Sequence, residues 1–473
     1  MTRLRLGWQI VFCSVVVMRR WGAIFDPARP APEKTCDGVS PRDRVYRRAG
    51  HVSWTHQHLM LSWGGVVEHI YNKPKGPNRS PTCGNSFHDP SIIVTYDPAT
   101  GAWGTLRTGG EVPPPTLSGV GVCVSGLLYV FGGLVQTEED GGDDYIDILY
   151  SSSHSLYSLN IETRTWRKLS PAGEPPPRSE KGAGWEYQGW LYFFGGYSSE
   201  SQEDKSVQLG YDQTEDPFTG RVWHNALVRY EVETNKYEWQ KIKGSAPCPR
   251  AGAGVCVDGD YVYIFGGRCK HRRLNDLHCI DLTTMTATMI DPGSEPDPFG
   301  PPDPFLPAPR SLHSMVNVGG SRLVVYGGVG QLCSPLNDCW ILHVNESIVC
   351  WEEVELPYDH GQVRCWHSGT LSLDGELLIH SGFTQEFYIT RLDLDDHCES
   401  VLHIKFGVMS LRRLALEAVI KIVEKTDKTH FLDVLPLVLQ HSVTTRLRLE
   451  DLDHVRPAPK ETHYTRERIR AGI

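Results

Sequence analysis

Two arginines and a serine stand out as residues that could do recognition chemistry. Arg268 and Arg273 lie five residues apart in FGGRCKHRRLNDLH, and Ser311 follows in the segment RSLHS. Two planar guanidiniums and a hydroxyl suit a carboxylate, because each guanidinium presents a fork of N–H donors that matches the two carboxylate oxygens. Capture of a chain's C-terminal carboxylate is an established mode of peptide recognition. A competing assignment pairs these arginines with loop acids such as Asp276. The choice depends on which elements hold the three residues.

Those elements recur. An apolar strand ending in two small residues appears six times, with the pairs at Gly64-Gly65, Gly132-Gly133, Gly195-Gly196, Gly266-Gly267, Gly327-Gly328 and Ser381-Gly382. The residues directly after the pairs are Val66, Leu134, Tyr197, Arg268, Val329 and Phe383. Upstream of each pair runs a second column, Arg48, Thr116, Arg178, Arg250, Arg310 and Arg364, followed by Ala49, Leu117, Ser179, Ala251, Ser311 and Cys365. Repetition predicts that the two following positions approach one rim, which would bring Arg268, Arg273 and Ser311 together from adjacent repeats. Downstream, Trp103, Trp166, Trp239 and Trp351 mark a further strand in four copies. Strand-length runs rich in Val, Ile, Tyr and Phe argue against helical repeats. Each unit reads as a four-stranded blade that cannot bury both faces alone, so six should close into a ring. The glycines should let the chain leave its buried strand, and the tryptophans should pack between blades.

Composition agrees. The chain has 473 residues, with 46 glycines and 32 prolines, and a formal charge of −10 that argues against nucleic acid or an anionic membrane as partner. Its 13 cysteines include no C-x-x-C pair and read as buried small hydrophobes in a reducing compartment. The N-terminal run LGWQIVFCSVVVM behind Arg3 and Arg5 has the basic and apolar parts of a signal peptide. It lacks a clean cleavage site and is too short to span a bilayer. The expectation is a cytoplasmic or nuclear chain. The histidines show no ligand spacing, so no cofactor or metal is implied; His51, His313 and His367 share a repeat column and suggest a recurring structural hydrogen bond.

The repeat resembles the kelch repeat. The fold expected is all-β, a six-bladed kelch β-propeller over residues 44–394, behind an N-terminal segment 1–43, with insertions between strands read as loops. Beyond it the period changes to 3.6. Leu411, Leu414, Ala415, Ala418, Val419, Ile422 and Val423 fall on one helical face, with Ser410 as N-cap, and THFLDVLPLVLQHSV forms a second amphipathic stretch. Residues 445–473 read as a polar tail. Ser410, Leu411, Ala415 and Val419 resemble an elongin C-binding BC box, with Ala415 where cysteine is commoner. Leu435, Pro436, Leu439 and Val443 resemble a cullin-2 box. Together they make 408–444 a helical docking segment for elongin B/C and cullin-2.

With FGGR-x4-R-x-NDLH, RS-x-HS, FFGGY and RRLALEAVI, the chain is similar to the kelch domain-containing protein 1 and 2 family. These are six-bladed substrate receptors of cullin-2 RING ubiquitin ligases that read C-terminal glycine degrons. The resemblance implies that Arg268, Arg273 and Ser311 bind the substrate carboxylate and that Lys181, Tyr197 and Trp223 complete the pocket. It implies a non-catalytic adaptor that promotes ubiquitination. The family has tryptophan where this chain has Leu312, which removes an aromatic wall and would loosen the preference for a terminal diglycine. Two other readings are a kelch scaffold and, with least support, a metal-dependent kelch enzyme.

Overall fold

The structure is a computed structural model that describes residues 46–70, 83–99, 101–140, 146–198, 203–217, 220–293, 303–344, 349–356, 363–384, 398 and 400–406, with 414, 415, 418 and 419. It is almost wholly β. Six of its sheets follow one another along the chain, each built around antiparallel strands. Blade 1 comprises Val52–His56, Leu59–Trp63, Ile92–Tyr96 and Trp103–Arg107. Blade 2 comprises Val120–Val124, Leu127–Phe131, Leu156–Asn160 and Thr165–Leu169. Blade 3 comprises Ala183–Tyr187, Trp190–Ser198, Val222–Glu231 and Lys236–Gln240. Blade 4 comprises Gly254–Asp258, Tyr261–Cys269, Arg272–Asp281 and Thr286–Asp291. Blade 5 comprises Ser314–Asn317, Arg322–Gly330, Pro335–Val344 and Val349–Val354. The described strands of blade 6 are Ser368–Leu371, Glu376–His380 and Val401–Lys405. The last of these extends the sheet past the boundary expected at residue 394.

The first strand of each blade neighbours the first strand of the next, and that of blade 6 returns to Val52–His56, so the sheets form a ring. The apolar core is divided among the interfaces. One cluster joins blades 1 and 2 around Trp63 and Trp166, and another joins blades 6 and 1 around Met60, Trp103 and Leu378. The four remaining interfaces each hold their own cluster. Trp166 packs on Trp63, Trp351 on Phe265 and Trp103 on His380, each pair drawn from neighbouring blades. In blade 4 Ala287 fills the place of the missing tryptophan, fully inside its cluster. Each sheet is thus buried on both faces only because its neighbours cover it.

Two expectations need correction. The glycines do not end the buried strand in blades 3, 4 and 5. The ladder shifts register between Phe194 and Gly196, Phe265 and Gly267, and Tyr326 and Gly328, then continues to Ser198, Cys269 and Gly330. This is a β-bulge, and it needs two successive left-handed residues, here Gly266 at φ 63° and Gly267 at φ 100°. The insertions are also not all loops. Those of blades 1 and 2 begin and end as β-hairpins, Val66–Ile70 with Cys83–Phe87 and Leu134–Asp140 with Ile146–Ser152. That of blade 3 includes the helix Glu203–Leu209.

The histidine column also differs from expectation. His313 meets the ring of Phe265 edge-on, His367 meets Tyr326, and His51 meets His380, in each case the last residue before the small pair of the preceding blade. Aromatic packing between blades, rather than one recurring hydrogen bond, is the shared feature; His367 also meets Ser314 Oγ at 3.2 Å.

The ten cysteines whose side chains are described carry free thiols. Cys256, Cys339, Cys365 and Cys398 are buried, while Cys248 and Cys350 are exposed.

Candidate functional site

The upstream column builds the frame. Arg48, Arg250, Arg310 and Arg364 are almost wholly buried. Three of them donate from NH1 to the first glycine carbonyl of their own blade: Arg48 to Gly64, Arg250 to Gly266 and Arg310 to Gly327. Arg250 also holds Asp276 through both carboxylate oxygens at 2.8 Å, and Arg310 holds Asp338 at 2.7 and 2.6 Å. Burial would raise the Asp276 pKa, but hydrogen bonds from His278 and Arg250 outweigh it and hold the carboxyl well below its ordinary range. Asp276 is therefore committed to the frame through Arg250 and His278.

The following positions pair as the repeat predicts. Ala49 bridges Val66, Leu117 pairs with Leu134, Ala251 bridges Arg268, Ser311 pairs with Val329 and Cys365 bridges Phe383. Blade 3 departs by one residue. Glu180, not Ser179, bridges Tyr197, and Ser179 takes the column place expected for Arg178. The Ser179 carbonyl accepts from Gly133, as the carbonyls of Thr116, Arg250, Arg364 and Arg48 accept from Gly65, Gly196, Gly328 and Gly382.

One residue further on, the six blades meet at the axis. Gly50, Ser118, Lys181, Gly252, Leu312 and Trp366 all have left-handed backbones, with φ between 56° and 64°. Their peptide groups form a closed cycle: Gly50 donates to Trp366, Trp366 to Leu312, Leu312 to Gly252, Gly252 to Lys181, Lys181 to Ser118 and Ser118 to Gly50. Left-handed geometry costs a leucine or tryptophan roughly 1–2 kcal/mol, which the cycle offsets by tying each strand to its neighbours. Sequence reasoning missed this ring. Its signal was glycine at the same place in two copies, the mark of a position that demands positive φ.

The six residues expected to bind the substrate C-terminus lie near this ring. Arg268 and Arg273 are directly opposite on neighbouring strands. Arg273 is only 2% exposed; its Nε donates to Ser311 Oγ at 3.2 Å, its NH1 to Cys333 Sγ at 3.4 Å, and its backbone N–H to Gln331 Oε1 at 2.9 Å. Arg268 Nε donates to the Lys270 carbonyl at 2.7 Å. Two like charges facing each other across a ladder disfavour the sheet unless an anion joins them.

The remaining three lie on blade 3. Tyr197 and Trp223 are cross-strand partners with ring centroids 4.8 Å apart. Lys181 Nζ sits 5.3 Å from the Tyr197 ring and 4.8 Å from the Trp366 ring, a cation held between two aromatic faces. Glu180, 2% exposed, lies 3.7 Å from both Lys181 and Arg221, and Arg221 lies over Tyr197. The structure thus yields two neighbouring groups, Arg268–Arg273–Ser311 and Lys181–Tyr197–Trp223, linked through Gly252. Leu312 takes its place on the axial ring.

The docking segment falls mostly outside the described residues. That holds for Ser410, Leu411, Leu435, Pro436, Leu439 and Val443. Ala415 and Val419 have helical backbone, the first exposed and the second half-buried. No group of three or more potential metal ligands occurs among the described residues.

Comparison with known proteins agrees with this fold. The sequence model of the KLHDC2/KLHL20/DRC7 Kelch-repeats domain matches residues 50–292 and 210–398. Kelch domain-containing protein 1 of Mus musculus is 31% identical over 385 residues, covering 79% of this chain and 84% of that relative. Kelch domain-containing protein 2 of Bos taurus is 28% identical over 403 residues, covering 84% of this chain and 90% of its own length. Among solved structures, one titled "Structure of YjhT" superposes with a TM-score of 0.53 at 15% identity, over 76% of this chain and 95% of that one, a likeness of fold alone.

Proposed function

The chain belongs to the family of the KLHDC2/KLHL20/DRC7 Kelch-repeats domain, and on that premise we propose that it is a substrate receptor of a cullin-2–elongin B/C RING ubiquitin ligase. The ring holds the C-terminal carboxylate of a substrate ending in glycine. The 408–444 segment docks elongin B/C and cullin-2, and the ligase modifies lysines on the captured protein in the cytoplasm or nucleus. The receptor makes and breaks no bond; it raises the substrate's effective concentration at the transfer site.

The observation that carries this reading is the pairing of Arg268 with Arg273 on adjacent strands, with Ser311 hydrogen-bonded to the second guanidinium. Ser311, Cys333 and Gln331 hold Arg273 in place, which reduces the ordering cost of binding. A carboxylate between the two guanidiniums would relieve their repulsion and receive charge-assisted bonds. Lys181, Tyr197 and Trp223 give the chain behind that carboxylate a cation and aromatic walls.

Co-purification from cells tests the assembly. Deleting residues 408–444 should remove elongin B/C and cullin-2 while substrates remain bound. Arg268→Glu should do the reverse. If the deletion leaves elongin and cullin bound, the ligase assignment fails.

A further inference from the structure

On the same rim, across the axis from Arg268, lies a cavity of about 230 Å³ that none of the expected site residues except Lys181 lines. Its walls come from blades 6, 1 and 2: Val66, Leu117, Leu134 and Phe383, with Phe87 stacked on Tyr150 at the hairpin side. Val66, Leu117 and Phe383 are buried in the axial apolar cluster. Trp366 and the carboxylate–cation group Glu180, Lys181 and Arg221 close the remaining side.

We propose that this cavity is a side-chain subsite that takes one bulky apolar residue, aromatic or branched, from the peptide whose C-terminus is held at Arg268 and Arg273. The proposal rests on the carboxylate reading above and adds a second determinant to it.

Size, chemistry and position support it. A cavity near 150 Å³ with aliphatic and aromatic walls accepts a benzene ring, so this one has room for a phenyl or indole side chain. Its charged edge sets one carboxylate, Glu180, 3.7 Å from each of two cations, Lys181 and Arg221. An incoming base would meet the two cations, and a charged side chain of either sign would lose water among apolar walls. An apolar side chain meets neither penalty. Lys181 also fixes the spacing. Its carbonyl accepts from Gly252, whose carbonyl accepts from Leu312, the residue after Ser311. Two hydrogen-bonded steps of roughly 5 Å each make roughly 10 Å, which an extended peptide covers in about three residues. The apolar residue therefore belongs about two to four places before the C-terminus.

The test uses the full chain and fluorescent peptides ending in Gly-Gly. The third, fourth or fifth residue from the end is Phe, Leu, Gly, Asp or Lys, and each peptide is made as free acid and as amide. At one of these positions Phe should bind roughly 10- to 100-fold more tightly than Gly, and Asp and Lys no better than Gly. Leu134→Trp, which fills the cavity from its half-exposed edge, should bring the Phe/Gly ratio toward one. Leu134→Ala, which enlarges it, should favour Phe over Leu further; a melting curve accompanies each variant. Equal affinity for Phe and Gly at every position, or a ratio that neither variant changes, overturns the subsite. Equal binding of acid and amide overturns carboxylate capture instead, since the Phe/Gly ratio is read within each series separately.

Discussion

At the scale of single residues, the chain uses arginine in two ways that look alike in sequence. Arg250 and Arg310 are internal struts whose charges are matched by Asp276 and Asp338. Arg268 and Arg273 stand opposite each other on neighbouring strands, the second buried and bonded to Ser311 and Cys333. Arg268→Ala should weaken binding of a glycine-ended peptide by roughly 10- to 100-fold, the worth of a charge-assisted pair at about 1.5–3 kcal/mol, and leave the melting temperature near that of the parent. Arg250→Leu should do the opposite kind of damage. It leaves a buried carboxylate without its main partner and should cost roughly 3–5 kcal/mol of stability, read by chemical denaturation. The distinction was legible in part. The spacing FGGR-x4-R singled out Arg268 and Arg273, but the commitment of Asp276 to Arg250 and His278 depends on the fold. Glu180 was out of reach because the proline run before Arg178 concealed a one-residue shift of register.

At the scale of elements, the paired glycines are the device that carries each strand from the buried blade to the rim. Gly267 has φ 100°, and a Cβ there would stand 3.1 Å from the Ala253 Cβ and 3.2 Å from the Ala251 carbonyl. Gly267→Val should therefore destabilise blade 4 by at least about 2 kcal/mol and displace Arg268, its neighbour, so that peptide affinity falls along with stability. An unchanged melting temperature would show that the bulge tolerates a side chain. The strands and their order could be read from the repeat, because the two-residue alternation and the small pairs recur at every copy. The continuation past the glycines could not, because a bulge and a strand end use the same residues. The hairpins of blades 1 and 2 were hidden for a similar reason: polar insertions such as TEEDGGDDYID carry no apolar alternation to mark their strands.

At the scale of the whole molecule, stability is shared among six interfaces, and several hold a buried neutral histidine. Burial is the main cause that lowers the pKa of His224, His367 and His380 to about 3, and it also holds His51 and His313 well below 6.5. For His313 the nearby Arg310 charge adds to the effect of burial. The sign follows from proton binding. Below the ordinary histidine pKa of 6.5 the unfolded chain takes up protons that the folded chain refuses. Stability is therefore complete above that pH and is lost as pH falls from it toward 3, by up to roughly 1.4 kcal/mol per pH unit for each histidine. Unfolding free energies measured by chemical denaturation at about pH 7.5 and 5.5 should differ by several kcal/mol. The depressed carboxyls Asp276 and Asp338, with ordinary values of 3.8, add their losses only below that interval. Equal stability at the two pH values would contradict the neutral, buried state of these rings.

The same scale holds the functional claim. An acidic chain of net charge −10 carries a local basic site on one rim of its ring, and that site is read as a receptor for a free C-terminus. Titration of the full chain with one glycine-ended peptide, as free acid and as C-terminal amide, tests this most directly. The account predicts that the acid binds at least about tenfold more tightly, since amidation removes a charge-assisted pair with the guanidiniums, and that Arg268→Ala abolishes the difference. Equal affinity for acid and amide would contradict it.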